Sequence, residues 1–561
     1  MDNGMVTDIQ RMKYWRPTTP KITWVIALTA ALIGSFPFII GLAILIRESG
    51  GPPSELALLA PGLARAALFT LKQASLSALI VVCFSPVFAI GLFYFPGRAR
   101  RASVAMRTLS FCLPSIVVAT GIVLAWGNNG SATRFFESLG ISSPFSRVVY
   151  SPYAVVLANA LMNLPFASLM VFRGFSEIPS VQLENAELLG LKPLSRWRYI
   201  VLPAIMPANV YFAGMTFLLS LGSFGALSIL GGGPASQTLE LAIYQSIYYD
   251  GNWQSAAIFS VAHTFLAGAA SAIFIIPQYQ WLNTYLSGHI KVSTSERSLL
   301  KFIGMPFGGK LFFTLSSVAL DLFVAIPVIA NLAYAATWII EPVPASIASS
   351  ALLLSSVWRS LTYAFPAAAL STISAFLVSR AFCRYKASHN PAHAITILGT
   401  SLASAIVPAM AAAFGILVIR SVSSNTPLGT EAIIVLHATM ILPFLISVIL
   451  PRYGRAISPY EQTRIMAGIS DLRWAAVIEW RVIGKTLAIA LAIALALSMN
   501  ETAIVSMLGD PASPALTTTM IQLMGHYRFG DSAIASCVLI IVTTIPIWLT
   551  SRNEERTNEP A

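Results

Sequence analysis

Residues 184–203, from Glu184 to Pro203, read ENAELLGLKPLSRWRYIVLP, a polar and basic stretch between two apolar segments. A weaker copy stands 278 residues further on, from Gln462 to Arg481, with Gly190 falling on Gly468 and Ile200 on Ile478. The same offset carries Leu164-Pro165-Phe166 onto Leu442-Pro443-Phe444, Ala160 and Met162 onto Ala438 and Met440, and Leu230-Gly231 onto Leu508-Gly509. Upstream, Pro114 and Gly121 correspond to Pro408 and Gly415 at an offset of 294, so a connection in the first half is 16 residues longer. Matched spacing over that much chain argues for a duplicated unit. A polar loop present once in each unit is the mark of a docking surface used twice.

The rest of the chain sets the medium around those loops. Hydrophobic residues make up 56% of the 561, and Asp, Glu, Lys and Arg only 10%, against about 25% charged in an ordinary soluble domain. A helix needs about 20 apolar residues to cross a bilayer. Twelve stretches qualify, near 24–46, 74–95, 108–126, 150–172, 205–228, 254–277, 312–336, 361–380, 395–418, 432–450, 486–507 and 532–550. The expected fold is therefore an all-α integral membrane protein of twelve transmembrane helices in two six-helix repeats. An even number of spans per repeat makes the halves parallel, related by an axis along the membrane normal. The expected divisions are a leading segment 1–23, halves 24–277 and 311–550, a linker 278–310 and a tail 551–561. The first apolar stretch is too long for a secretory signal and lacks a small-residue cleavage site, so it is expected to be retained.

Orientation follows from Lys and Arg. With a cytoplasmic N-terminus, 27 of the 35 fall on inner segments, among them Arg98, Arg100, Arg101 and Arg107, then Lys192, Arg196 and Arg198, then Arg464, Arg473 and Arg481. That is the positive-inside pattern, and it puts both termini and both polar loops on the cytoplasmic side. Topology thus accounts for the net charge of +12, and no nucleic-acid partner is expected. Cys83, Cys112, Cys383 and Cys537 have no metal-ligand spacing, so neither a disulfide framework nor a metal site is expected, and no cofactor.

Within the polar stretch, Glu184 to Leu189 favours helix, Gly190 allows a turn and Pro193 can open a second helix. Apolar Leu188, Leu189, Leu191 and Trp197 would hold such a helix-turn-helix parallel to the membrane and offer it to a soluble partner. A basic interfacial loop on anionic lipid, using Lys192, Arg196 and Arg198, fits the same residues. The residues by themselves leave both readings open. In the linker, GMPFGGKL at Gly304–Leu311 approaches the phosphate-binding pattern GxxxxGK(S/T), but Leu311 replaces the hydroxyl and no strand precedes it. Outside a strand–loop–helix context the pattern makes no nucleotide site, and ATP hydrolysis is not expected of this chain.

Glu184, Ala186, Gly190, Ile200, Leu202 and Pro203 stand at the spacing E-A-A-x3-G-x9-I-x-L-P, with Asn185 in place of the first Ala. In this the chain resembles the permease subunits of bacterial ATP-binding-cassette (ABC) importers, whose EAA motif has that form. The resemblance implies a type I importer permease fold in the bacterial inner membrane. Each loop would be a coupling helix seated on a cytoplasmic ATPase, two copies in all, and a periplasmic binding protein would deliver a small-molecule substrate. It implies coupling roles for those six residues and for Gln462, Gly468 and Ile478. The second loop departs from the pattern, with Glu461 before the first motif position, Gln462 on it, and Trp480-Arg481 in place of Leu-Pro. Three further stretches, Gly231–Asp250 (GGGPASQTLELAIYQSIYYD), Val477–Ala492 (VIEWRVIGKTLAIALA) and Met507–Ser536, are similar to the fused permeases of the thiamine and ferric-iron importer group, most of all the thiamine type. By that resemblance the substrate is thiamine, its phosphates being further candidates, with ferric iron second. A twelve-span secondary transporter is the alternative of another class. It has no use for a docking loop after the fourth and tenth spans, and would carry more paired intramembrane charges.

Few polar groups interrupt the spans. Asn500 and Glu501 break the eleventh, and about 15 residues at 1.5 Å each from its inner end places them in the outer half. An intramembrane carboxylate usually faces a cavity or a partner, so both residues are candidates for the substrate path. A hydrogen-bonded acid joining the halves, with Gly222 and Ser223 making room, is the packing alternative. The pair stands where Gly-Asp is expected of the thiamine type. Asp321 is expected in an ion pair or protonated, and His263 and His437 as packing residues. Pro114, Pro165, Pro408 and Pro443 recur at matched places and are expected to bend their helices. Trp24, Trp126, Trp253, Trp358 and Trp548 fall near span ends, as interfacial anchors do.

Overall fold

A computed structural model describes residue 43 and residues 53–558, apart from 144, 150, 176–177, 232–235, 287–305, 341–350, 388–390, 403–406 and 423–428. Among them every regular element is helical. The expected first span, apart from Ala43, and Gly304 and Met305 of the phosphate-loop-like stretch lie outside the described residues. The rest of that stretch enters a long helix at Phe307.

The first half contains α1 (Pro53–Phe93), α2 (Gly97–Cys112), α3 (Ser115–Trp126), α4 (Ala154–Phe175) and α5 (Ser180–Leu188). It continues with α6 (Leu202–Leu221), α7 (Phe224–Leu230), α8 (Leu239–Tyr248) and α9 (Trp253–Leu286). Then α10 (Phe307–Ile340) opens the second half, followed by α11 (Ala351–Ala387), α12 (Pro391–Leu402), α13 (Ala409–Val422) and α14 (Thr430–Ala456). The chain ends with α15 (Glu461–Met466), α16 (Trp480–Asn500), α17 (Ala503–Leu508), α18 (Leu516–Gly525) and α19 (Phe529–Asn558). Helices α11–α19 thus repeat α1–α9 in order and type. Among the described residues nine helices are long and apolar enough to cross a membrane, or ten if α2 and the helical run after it count as one bent span. Of expected span 395–418, residues 403–406 lie outside the described residues, and α12 and α13 hold most of the rest.

The matched prolines act in two ways. Leu113 is extended (φ −69°, ψ 134°), because the following proline ring excludes the helical region, and the chain bends by 110° there. Pro165 and Pro443 sit inside the unbroken helices α4 and α14. The duplication also extends to individual hydrogen bonds. The Leu239 N–H at the start of α8 donates to Thr70 Oγ1 of α1 at 3.0 Å, and the Leu516 N–H at the start of α18 donates to Ser360 Oγ of α11 at 2.9 Å.

The halves interlock. Helix α3 packs on α19, and in the mirrored contact α13 packs on α9. Helix α10 crosses over to lie on α1 and α3 of the first half. Glycine makes that approach possible: a Cβ on Gly91 would strike Phe313 O and Ser317, and one on Gly121 would strike Pro327 O and Asn331. Asp321 of α10 meets fully buried Arg107 of α2 at 2.8 Å, the ion pair expected of an acid inside a span. Arg107, grouped above with the inner basic residues, also donates to Phe88 O and Ser168 Oγ.

The longer connection in the first half packs over the end of this crossing. Phe136 and Phe145 cover Trp126, and Phe145 reaches Phe323 of α10 at 5.4 Å between ring centroids. Trp126 is therefore a core residue at 3% exposure rather than an interfacial anchor. Trp253 and Trp358 do reach the surface.

Candidate functional site

Both polar loops close with the same backbone device. In the first, Gly190 N–H donates to Glu187 O at 3.0 Å and Leu191 N–H to Ala186 O at 3.1 Å. In the second, Ile469 N–H donates to Arg464 O at 3.2 Å. This helix-ending pattern needs a left-handed residue, and Gly190 (φ 61°) and Gly468 (φ 64°) supply it. An arginine clips each turn: Arg196 Nε donates to Leu191 O at 2.7 Å, and Arg464 Nη1 to the matched Ile469 O at 3.0 Å. The two arginines come from opposite sides of their turns. After each turn the chain passes through one π-helical stretch, Trp197–Val201 and Ala475–Glu479, before its span. These stretches are 278 residues apart, and only the equal Gly-to-Ile spacing of the two copies hinted at them.

Of the motif residues, Ala186 is buried, Ile200 and Ile478 are half-buried, and Glu184, Gly190, Leu202, Pro203 and Gly468 are exposed. Gln462 lies on α15, and its side chain is outside the described residues. Leu188 and Leu189, expected to hold the element parallel to the membrane, are 85% and 75% exposed on the protein. The fold anchors this element through Leu183, Ala186, Leu191 and Trp197, which pack on Ile90 and Phe175. The exposed leucines are left for another surface.

The second loop is fastened by charge where the first is fastened by apolar contact. Buried Leu183 and Val201 of the first loop correspond to Glu461 and Glu479 of the second, both also buried. Glu479 accepts from Arg380 Nε at 3.1 Å and from Tyr453 Oη at 2.8 Å. Glu461 pairs with Arg384 at 3.3 Å and Arg464 at 2.8 Å. Arg380 and Arg384 are one turn apart on α11. The departure from the motif is thus a compensated anchor.

Between the halves, the breaks α6/α7 and α16/α17 meet. Asn500 Oδ1 accepts from the Ser115 N–H of α3 at 2.8 Å, and Glu501 Oε1 accepts from Ala503 and Ile504 N–H at 2.9 and 3.3 Å. Asn500 therefore caps a helix of the other half, and Glu501 caps its own successor. A Cβ on Gly225 would lie 2.6 Å from Ser115 Oγ and 3.1 Å from Thr502 Oγ1. His437 bonds Ser498 through Nδ1 at 2.7 Å, and its repeat mate Asn159 bonds Gln73 at 3.0 Å and Ser223 at 3.1 Å. His263 is fully buried beside Leu221.

Repeat-mated Phe166 and Phe444 both stack on Phe111, at 4.6 and 5.2 Å between centroids. A single aromatic stack thus joins both LPF motifs. Sequence reading also missed fully buried Glu240, whose carboxylate reaches toward Met410 N–H of the other half at 3.5 Å.

Residues 82–291 match the family model described as binding-protein-dependent transport system inner membrane component. The chain is 26% identical over 519 residues to the thiamine transport system permease protein ThiP of Brucella abortus (strain 2308), covering 91% of each. It is 25% identical over 477 residues to the protein of that name from Escherichia coli (strain K12), covering 84% of this chain and 86% of the relative. The molybdenum transport system permease protein ModB of Mycobacterium bovis is 30% identical over 187 residues, 33% of this chain and 69% of the relative. Twin left-handed turns, twin π-helical stretches and interlocked halves are thus found in a chain that belongs to the family of inner membrane components of binding-protein-dependent transport systems.

Proposed function

We infer that the chain is the two-half permease of an ATP-driven importer that carries thiamine across the inner membrane. The observation that carries the reading is the doubled loop, two helix-turn elements with left-handed Gly190 and Gly468 and exposed apolar side chains beside them. The thiamine assignment is supported by relatives named as thiamine transport system permeases, matched along 86–91% of their length. Each loop would seat on one ATPase subunit, two copies in all, using Glu184, Ala186, Gly190, Ile200, Leu202 and Pro203 in the first and Gln462, Gly468 and Ile478 in the second. A periplasmic binding protein would load the opposite face, both termini being cytoplasmic. Asn500 and Glu501, at the seam where the halves meet, would lie along the substrate path. The halves would be 24–277 and 311–550, with segments 1–23, 278–310 and 551–561 on the cytoplasmic side. A secondary transporter would leave the second loop without a purpose.

The test is uptake of labelled thiamine into vesicles holding the permease, its ATPase and its binding protein. ATP-dependent, saturable uptake competed by thiamine diphosphate supports substrate and class together. ATP hydrolysis without uptake would keep the importer and remove thiamine.

A further inference from the structure

Glu240 is the second residue of α8, and its side chain is fully buried where α8 meets α13 of the other half. Oε1 has a long contact with Met410 N–H, at 3.5 Å. Oε2 has no hydrogen-bond partner among the described residues. The charge it feels is that of Glu501, which is of like sign. A buried carboxylate so placed is strongly unfavourable by itself, and packing alone does not account for it.

The same face of α8 continues from Glu240 to Tyr244 and Tyr248, at intervals of one helical turn. Tyr244 lies 4.8 Å from Tyr248 and 5.3 Å from Phe224 between ring centroids. Tyr248 is 45% exposed, and its hydroxyl donates to Met507 O of the second half at 2.7 Å. The aromatic faces therefore run from the open surface to the buried acid along the seam. The repeat offers no twin, since Thr517, Ile521 and Gly525 stand at the matched places of α18.

We propose that Glu240, approached along Tyr244 and Tyr248, is the transit site for an organic cation, exposed when the two halves part. Aromatic faces favour a large, weakly hydrated cation, and the carboxylate supplies its counter-charge. A hydrated metal ion gains little from the rings, and an anion is repelled. This deepens the importer reading above and rests on it.

The test uses the whole complex of permease, ATPase and binding protein in proteoliposomes. Glu240→Gln is expected to lower thiamine uptake by about tenfold or more, the size of one lost charged contact, while ATPase stimulation by the loaded binding protein persists. Tyr244→Phe should retain uptake and Tyr244→Leu should lower it. Unchanged uptake in Glu240→Gln, or uptake and stimulated ATPase falling in parallel, overturns the proposal. If the wild-type complex takes up no thiamine, the substrate reading fails separately. Carbodiimide modification of Glu240 during turnover then decides, with slowing by N-methylpyridinium but not by toluene in support and equal rates with both against.

Discussion

Asp321 and Arg107 tie the second half to the first: the carboxylate of α10 sits 2.8 Å from a guanidinium of α2 that is fully out of solvent. Removing one partner of such a pair strands the other, which costs about 3–5 kcal/mol, whereas replacing both with apolar residues of similar volume is often neutral. Asp321→Ala should therefore lower the unfolding temperature in detergent markedly, and Arg107→Met with Asp321→Leu should recover most of the loss. Equal damage in the single and double variants would argue against a pair that acts as a unit.

At Gly190 nothing lies within 4 Å of an added Cβ, so a substitution there meets backbone strain and whatever docks from outside. The strain is about 1 kcal/mol for alanine. Gly190→Asp should leave the protein in the membrane yet abolish uptake. Normal uptake in that variant would remove the basis for the coupling role.

The two loops should differ in how they fail. Glu479→Ala removes the buried carboxylate that holds Arg380 and Tyr453, a loss of about 3–5 kcal/mol concentrated at the second loop. Crosslinking to the ATPase from a cysteine at Met466 should then fall while crosslinking from Leu188 is retained. A matching loss at both positions would mean that the loops do not act separately.

Phe111 lies between repeat mates from the two halves. Each aromatic pair contributes about 0.5–1.5 kcal/mol, so Phe111→Ala loosens a closure on which both halves converge. Proteoliposomes holding this variant should leak small solutes without ATP. Tightness equal to wild type would reduce the stack to packing.

At Gly225 the space between Ser115 and Thr502 is already filled. Gly225→Val should separate the halves there, at a cost of about 1–3 kcal/mol for overpacking. Uptake should fall while both loops still hold the ATPase in a pull-down. Full uptake would place no demand on that contact.

Much of this architecture could be read from the chain because it is repeated. The offset of 278 located the helix–glycine turn twice, and the lone acid Asp321 announced a partner. What stayed hidden depends on residues far apart in sequence. Glu461 reads as a departure from the motif and Glu479 draws no notice, since their partners Arg384 and Arg380 lie about 80–100 residues earlier on a helix whose facing surface only tertiary packing reveals. Glu240 reads as an ordinary first-turn acid until α13 of the other half closes over it. Trp126 was misjudged because the longer connection folds back on it.

The paired π-helical stretches carry a mechanical consequence. A π turn holds one residue more than an α turn, and each residue of an α-helix advances by about 100°. Each stretch therefore sets the rotational phase between a docking element and the span behind it. Deleting one residue within Trp197–Val201 would let the turn relax to ordinary helix and keep the loop and the span in their present relative facing, whereas the same deletion in the α-helical span behind it would swing the loop by about 100° around the helix axis. Since both halves keep the same extra residue, the two loops stay in step with each other, as two cranks on one shaft must.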